Sequence, residues 1–377
     1  MEKNNSLWDL FQEKNLSRRS FLKTCVTITG ILGLSPLMLS EVVAAAEQKQ
    51  LVPLIWLHGH ECTGCDEAFI RSQTPLASDV ILNMISLEYM DVLAAAAGVP
   101  LEEHLQEVMK KYNGKYLLAV EGAVPLNDDG VSCVVGGKPF VHNLKEIAKG
   151  AAAIIEVGSC AAWGGIQAAR PNPTKSVSVS EVISGKTIIK IPGCPPIPEV
   201  LTGVIMHYTL FGQIPPLDST GRPKQFYGNR IHDTCYRRPF FDSGMFVEKF
   251  DDAGSKAGWC LYKVGCRGPE TYNSCGNMRW WNGLSYPIQS GAPCVGCSSN
   301  NFWDNDPFYN RMPSIPVPNV IANADKVGIV AAGALTAGVL VHGALSAVQH
   351  NRHHKESHAQ ENQEVNDKEN QKANDKE

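Results

Sequence analysis

The amino-acid order predicts an α/β protein: a doubly wound parallel-sheet domain, then a loop-rich segment dense in metal-ligating residues, then a C-terminal transmembrane helix. Three observations predict it. Through the first half of the chain, short continuous apolar runs alternate with helical stretches, the pattern of a parallel sheet covered on both faces. From Gln225 to Pro318 the composition turns to Gly, Pro, Asn, Trp and Tyr without a sustained period. Val327 to Val348 then reads VGIVAAGALTAGVLVHGALSAV, without an Asp, Glu, Lys or Arg.

In chain order, the first element is a leader. Ser17-Arg18-Arg19-Ser20-Phe21-Leu22-Lys23 precedes a modest apolar stretch, Thr24 to Leu39, and the small residues Ala44-Ala45-Ala46. Charge, apolar run and small-residue box in that order predict a twin-arginine signal peptide over 1–46, cleaved after Ala46. Strands are expected at Leu51 to Leu57, Tyr116 to Val120, Ala153 to Val157 and Thr187 to Ile191, with helices at Leu101 to Lys111 and Val141 to Lys149. These place the doubly wound domain at 47–215 and the loop-rich domain at 216–318.

The anchor falls within 319–349. Twenty-two helical residues reach about 33 Å, enough for a bilayer core of about 30 Å. Arg352 and Lys355 follow the span, which keeps the short end cytoplasmic and the body on the periplasmic side of the inner membrane. Small residues four apart, Gly333/Ala337 and Ala334/Gly338, suit close helix packing. His342 lies inside the span, where it would face a haem- or quinone-bearing partner or bond a neighbouring helix. The tail, 350–377, is polar and charged and is expected to be disordered; His350, His353 and His354 stand at its start. The net charge of −4 and the lack of a basic stripe exclude a nucleic-acid partner.

The chemistry lies in the cysteines. The chain has twelve. Cys25 falls in the leader and Cys133 in a glycine-rich loop, where it is expected to be a buried thiol. The other ten form three groups with one histidine: Cys62, Cys65, Cys160 and Cys194; His232, Cys235, Cys260 and Cys266; and Cys275, Cys294 and Cys297. Cys62 and Cys65 follow the first expected strand, Cys160 the third and Cys194 the fourth, so four thiolates converge beyond the carboxyl ends of strands, where open α/β sheets place their ligands. Such sets hold iron–sulfur clusters. Zinc remains an alternative for four thiolates. Disulfides are the other, although a hydrophobic content of 44% can build a core without staples. Exchanging a thiolate for His232 removes one negative charge; the competing role is a hydrogen-bonded loop histidine. The last group has three ligands, which suits a three-iron cluster, or a four-iron cluster completed by water or a carboxylate. In the ligand-dense segment, metal can supply folding energy that a meagre core lacks.

With Glu61-Cys62-Thr63-Gly64-Cys65, Gly158-Ser159-Cys160, Pro192-Gly193-Cys194-Pro195-Pro196, His232-Asp233-Thr234-Cys235-Tyr236 and Pro293-Cys294-Val295-Gly296-Cys297 in place, the chain resembles the small subunit of membrane-bound [NiFe] hydrogenases along almost its full mature length. The resemblance implies a flavodoxin-like domain with a proximal [4Fe-4S] cluster on Cys62, Cys65, Cys160 and Cys194. It implies a distal [4Fe-4S] cluster on His232, Cys235, Cys260 and Cys266, and a medial [3Fe-4S] cluster on Cys275, Cys294 and Cys297. It also implies a separate large subunit with the nickel–iron centre, and a membrane cytochrome b or an iron–sulfur/quinone-reactive subunit as acceptor. No residue of this chain would then be catalytic. Glu61 would serve a proton path or simply lie near a helix start. Oxygen-tolerant members carry two extra cysteines near the proximal cluster; Gly64 and Gly165 stand there here, which implies an ordinary cubane and an oxygen-sensitive enzyme. The related quinone-reducing subunit of respiratory complex I shares the first sheet and one cluster, but would need neither the leader nor the seven later ligands.

Overall fold

The computed structural model describes residues 6–305, 307–312 and 333–348. The chain divides into two units, 1–314 and 315–377.

In the first unit, five parallel strands form one sheet: β1 (Pro53–His58), β2 (Ser86–Met90), β3 (Tyr116–Glu121), β6 (Ala151–Val157) and β7 (Ile188–Ile191). Their spatial order is β2-β1-β3-β6-β7, and β4 (Val134–Val135) pairs with β5 (Lys138–Pro139) as a separate hairpin. Counted along the large sheet alone, this is the 2-1-3-4-5 order of flavodoxin-like sheets, with its switch point between β1 and β3. The four expected strands are present within one or two residues at each end. Their side chains alternate between two cores: Leu54, Trp56, Leu117, Ala119, Ile155 and Ile189 enter one, whereas Ile55, Leu57, Leu118, Val120 and Ile154 enter the other. Both faces are therefore dry, which explains runs that are apolar without alternation.

Between β1 and β3 lie α4 (Gly64–Ile70), α5 (Ala77–Asp79), which continues into a π-turn at Val80–Met84, and α6 (Val99–Lys111). Then come α7 (Phe140–Ala148), α8 (Gly158–Trp163), α9 (Val179–Val182) and α10 (Pro198–Phe211). Helices α6 and α7 fill the second core through Leu101, Leu105, Val108, Leu144 and Ile147. Beyond α10 the chain turns irregular. It holds only α11 (Lys224–Tyr227), α12 (Arg238–Asp242), α13 (Ala253–Lys256) and short 3-10 turns, and among the described residues no named strand follows β7.

The segment expected to be a removable leader is folded onto the body in the full-length chain. It forms α1 (Leu7–Glu13), α2 (Arg18–Ile31) and α3 (Leu39–Gln48). A capping box between Ser6 and Asp9 starts α1, and the Ser17 side chain caps α2. Phe21, Cys25, Ile28, Val42 and Ala46 are buried. Trp8 and Phe11 both meet Phe21 edge-to-face, at 4.9 and 5.7 Å between ring centroids. Helices α2 and α3 lie against α10, where a Cβ added at Gly203 would come within 2.9 Å of Ile31. Helix α10 is apolar nearly all round, so a second neighbour is needed to cover the side turned from the sheet. Of the twin arginines, Arg18 pairs with Glu47 at 2.7 Å and stacks over Trp8.

In the second unit, residues 333–348 are helical and exposed. At 1.5 Å per residue that helix is about 24 Å long. Among the described residues no helix is long and apolar enough to cross a membrane. The expected span begins at Val327, and 327–332 lie outside the described residues, as does the tail 350–377. His342 is exposed.

Candidate metal centres

The first ligand group is built by the sheet. The loop after β1 carries Cys62, and the first turn of α4 carries Cys65. Cys160 sits in α8 directly after β6, and Cys194 follows β7. The four thiols are close enough to feel one another's charge: Cys65 feels Cys160 and Cys194, and both of these feel Cys62. Burial, first of all, pushes Cys160 up to about 11 and Cys194 up to about 12, and raises Cys65 well above an ordinary thiol. Such thiols stay protonated until a cation offsets the charge, so loading this group releases protons.

Two glycines permit the approach. A Cβ at Gly158 would stand 2.5 Å from Cys65 Sγ, and one at Gly165 would stand 2.5 Å from Cys160 Sγ; both residues have positive φ. Between the first two cysteines, Thr63 adopts φ 63° and ψ 11°, a left-handed conformation that costs a β-branched residue about 1–3 kcal/mol.

The second and third groups lie in the irregular half. His232 occupies a 3-10 turn (Ile231–Thr234) that delivers Cys235 at its end. With Cys260 and Cys266 they line a narrow cavity. Three observations fit this cavity to a metal centre. His232 Nε2 is buried without a hydrogen-bond partner. Burial, helped by Arg238, lowers the imidazole pKa to about 4, which leaves a neutral ring with a lone pair free for a metal. Cys260 feels both Cys266 and Cys235. Backbone N–H groups already reach the sulfurs: Gly268 toward Cys266, and Gly296 to Cys294 Sγ at 3.4 Å. Such bonds tune the potential of a bound cluster.

The three-cysteine group is enclosed as well. Cys275 and Cys294 are buried, and Cys297 is half-buried. Cys294 feels both Cys297 and Cys275. The groups also meet end to end: the Cys194 N–H reaches the Cys297 thiol, and the Cys294 N–H reaches the Cys266 thiol. The order along this row is therefore the Cys62 group, the Cys275 group, then the His232 group.

Other residues near the first group were not legible in the sequence. His58, the last residue of β1, lies between Asp91 at Nδ1 and Asp66 at Nε2, the latter at 3.2 Å. Glu121, the last residue of β3, accepts from the Cys65 N–H at 3.1 Å. Burial opposes charge on His58, but the two aspartates win and raise it to about 10. Burial and the Asp66 charge raise Glu121 to about 8. Donor atoms of His58, Asp66 and Glu121 lie within 4.8 Å of one another. An imidazole protonated between two carboxylates has no lone pair to give, so the cluster is an ion-pair network. The available signal was a charged residue closing an otherwise apolar strand, seen at both His58 and Glu121.

Glu61 is half-buried beside Cys62, with Oε2 unpartnered and its pKa raised by burial. The acidic residues in the first turn of α4 are Asp66 and Glu67. Cys133 was expected to be buried and is only half-buried, because its loop lies over the edge of the second core.

A doubly wound sheet whose strand ends feed a row of thiolates defines an iron–sulfur electron carrier. Residues 62–208 match the model of the NADH ubiquinone oxidoreductase 20 kDa subunit, and residues 227–309 match that of the C-terminal region of the NiFe/NiFeSe hydrogenase small subunit. The uptake hydrogenase small subunit of Azotobacter vinelandii is 52% identical over 349 residues, 93% of this chain and 98% of that protein. The one from Cupriavidus necator is 54% identical over 91% of this chain and 96% of that protein. Among solved structures, the [NiFeSe] hydrogenase of Dm. baculatum is similar with a TM-score of 0.66 and 33% identity, covering 70% of this chain and 100% of that one. The chain belongs to the small subunits of [NiFe] hydrogenases, the electron-transferring partners of a large subunit that holds the active site. The second of the two family models separates it from the complex I protein, which shares the first region.

Proposed function

We propose that the chain holds three iron–sulfur clusters, a [4Fe-4S] on Cys62, Cys65, Cys160 and Cys194, a [3Fe-4S] on Cys275, Cys294 and Cys297, and a [4Fe-4S] on His232, Cys235, Cys260 and Cys266. When bound, these clusters supply reversible one-electron redox states, which let the electrons of H₂ ⇌ 2H⁺ + 2e⁻ leave the large subunit for a membrane acceptor. The chain's own residues bind, space and insulate them. The observation that carries the reading is the end-to-end adjacency of the three groups, with the Cys194 N–H on the Cys297 thiol and the Cys294 N–H on the Cys266 thiol. The sheet residues hold one end of the row rigidly, buried Cys275 and Cys294 exclude water from its middle, and neutral His232 lowers the negative charge at the far end.

The remaining parts follow from the same reading. Residues 1–46 serve as a twin-arginine leader, 47–215 as the flavodoxin-like domain, 216–318 as the medial and distal cluster domain, and 319–349 as the anchor before the cytoplasmic tail 350–377. The body lies on the periplasmic side of the inner membrane, and a cytochrome b or an iron–sulfur/quinone-reactive subunit accepts the electrons. Glu61, with its raised pKa, passes protons toward the large subunit. Gly64 and Gly165 leave an ordinary cubane, and the enzyme is oxygen-sensitive.

Purification of the complex with its large subunit tests this directly. About eleven irons per small subunit and hydrogen-dependent dye reduction are expected. Zinc, or cysteines crosslinked to one another, would overturn it. Truncation after Pro318 should release an active soluble complex; one that stays on the membrane would remove the anchor assignment.

A further inference from the structure

One buried hydroxyl joins the first and third ligand groups. Ser159 directly precedes Cys160 and is buried. Its backbone N–H donates to the Gly193 carbonyl at 2.8 Å, and the Gly193 N–H donates back to Ser159 Oγ at 3.0 Å. The Ser159 O–H in turn donates to the carbonyl of Cys297. Gly193 directly precedes Cys194, so one side chain ties together the backbone at Cys160, Cys194 and Cys297. A second strut runs in parallel: Trp163, at the end of the same helix α8, donates its Nε1–H to the carbonyl of Ser298 at 3.2 Å. Without the serine hydroxyl, a buried N–H and a buried carbonyl would both lose a partner, which buried backbone rarely tolerates.

We propose that Ser159 is a positioning residue for electron transfer. It helps fix the separation between the Cys62/Cys65/Cys160/Cys194 group and the Cys275/Cys294/Cys297 group, and it supplies a side-chain bridge between them, beside the Cys194 N–H that reaches the Cys297 thiol. This rests on the ligand assignment proposed above. Electronic coupling decays less steeply through covalent and hydrogen bonds than through empty space. The path from the Cys160 backbone through Ser159 to the Cys297 carbonyl contains a single hydrogen bond. One electron crosses, lost by the first centre and gained by the other, while the hydroxyl proton stays on Ser159 Oγ. The bridge also bears on potential. The O–H dipole offsets the negative end of the Cys297 carbonyl; without it, that carbonyl favours the more oxidised state of the centre beside it.

The test uses the complete complex carrying Ser159→Ala or Ser159→Thr, compared with the natural chain. Iron content and paramagnetic resonance spectra establish first that the centres are present. Ser159→Ala is expected to keep its iron. It should weaken the magnetic interaction between the two centres, shift the midpoint potential of the three-cysteine centre negative and slow its hydrogen-driven reduction several-fold. Ser159→Thr, which retains the hydroxyl, should restore the interaction and the potential. An alanine variant with full iron and unchanged interaction and potential overturns the proposal. Should that variant fail to mature, Trp163→Phe, which removes only the parallel strut and leaves the Ser159 bridge in place, should keep the interaction and the potential; loss of either there would show that the strut, not Ser159, sets the separation and would overturn the proposal. Absence of both paramagnetic signals in the natural complex would overturn the ligand assignment, a failure distinct from that of the bridge.

Discussion

The sheet region and the irregular region bury their ligands in opposite ways. Between β1 and α10, the core is made by strand residues such as Trp56, Leu118 and Ile155, and the cysteines sit above it at strand ends, with Cys62 and Cys194 exposed. From α11 onward, Cys266, Cys275 and Cys294 are themselves members of the hydrophobic core, beside Tyr227, Leu261 and Ile288. The first region can fold and then present a site. The second has its site as part of its core, so whatever fills the site also contributes to its folding.

The largest test of that difference is removal of the metal. Reductive chelation should unfold the irregular region and spare the sheet. Hydrogen exchange would then show lost protection over 224–305 and retained protection in β1, β3 and β6. The expected loss is comparable with the whole stability of a domain, about 5–15 kcal/mol. Equal protection in both regions would mean that the irregular half needs no ligand to fold.

The converse test damages the sheet core. Trp56 is fully buried, and Trp56→Ala should cost about 3–5 kcal/mol in denaturant unfolding. Iron per folded molecule should stay unchanged, because no ligand leaves its loop. Loss of iron from the first group alone would show that site and core are as interdependent there as in the second half.

The same contrast explains what could be read from the sequence. The strands were legible because both faces are dry. Strand β2 was missed because Ser86-Leu87-Glu88-Tyr89-Met90 is an edge strand with only its last two residues buried. Helix α10 was missed because a helix buried on all sides has no amphipathic period. The ten cysteines and His232 stood out by residue type and spacing. The His58 network did not, since Asp66, Asp91 and Glu121 come from three separate segments and meet only in the fold. Nor did the docking of α1–α3, because paired arginines, an apolar run and a small-residue box in that order read as a leader.

That network gives the next effect in size. A histidine whose folded pKa lies above its unfolded value adds stability that is complete below the unfolded pKa and disappears as pH climbs through the folded one. For His58 the window runs from 6.5 to about 10. Glu121, raised from 4.5 to about 8, acts in the same sense: its folded form holds a proton longer, so stability falls as pH rises across that interval. Unfolding free energy should therefore decline from neutral to alkaline pH. Replacing His58 by Asn should remove about 2–4 kcal/mol at pH 7 and flatten the decline above pH 8. A parent protein with no decline between neutral and alkaline pH would mean that the imidazole is neutral and the network is not an ion pair.

The smallest effect distinguishes strain from support in the first ligand loop. Thr63 holds a left-handed conformation between Cys62 and Cys65, and its side chain bonds Glu61. Glycine would relieve about 1–3 kcal/mol of backbone strain, but it adds about 0.4–1 kcal/mol of unfolded-chain entropy and forfeits the bond. Thr63→Gly should therefore stabilise the chain by no more than about 2 kcal/mol. The loss of the bond, which favours the charged carboxylate, should also raise the Glu61 pKa further, a change readable by carboxyl infrared titration. If the variant were destabilised by more than about 1 kcal/mol, the threonine side chain would be holding the loop more firmly than its backbone resists it. The first ligand group would then depend on its own side chains for shape, as the irregular half does, and the contrast between the two regions would stop at the sheet.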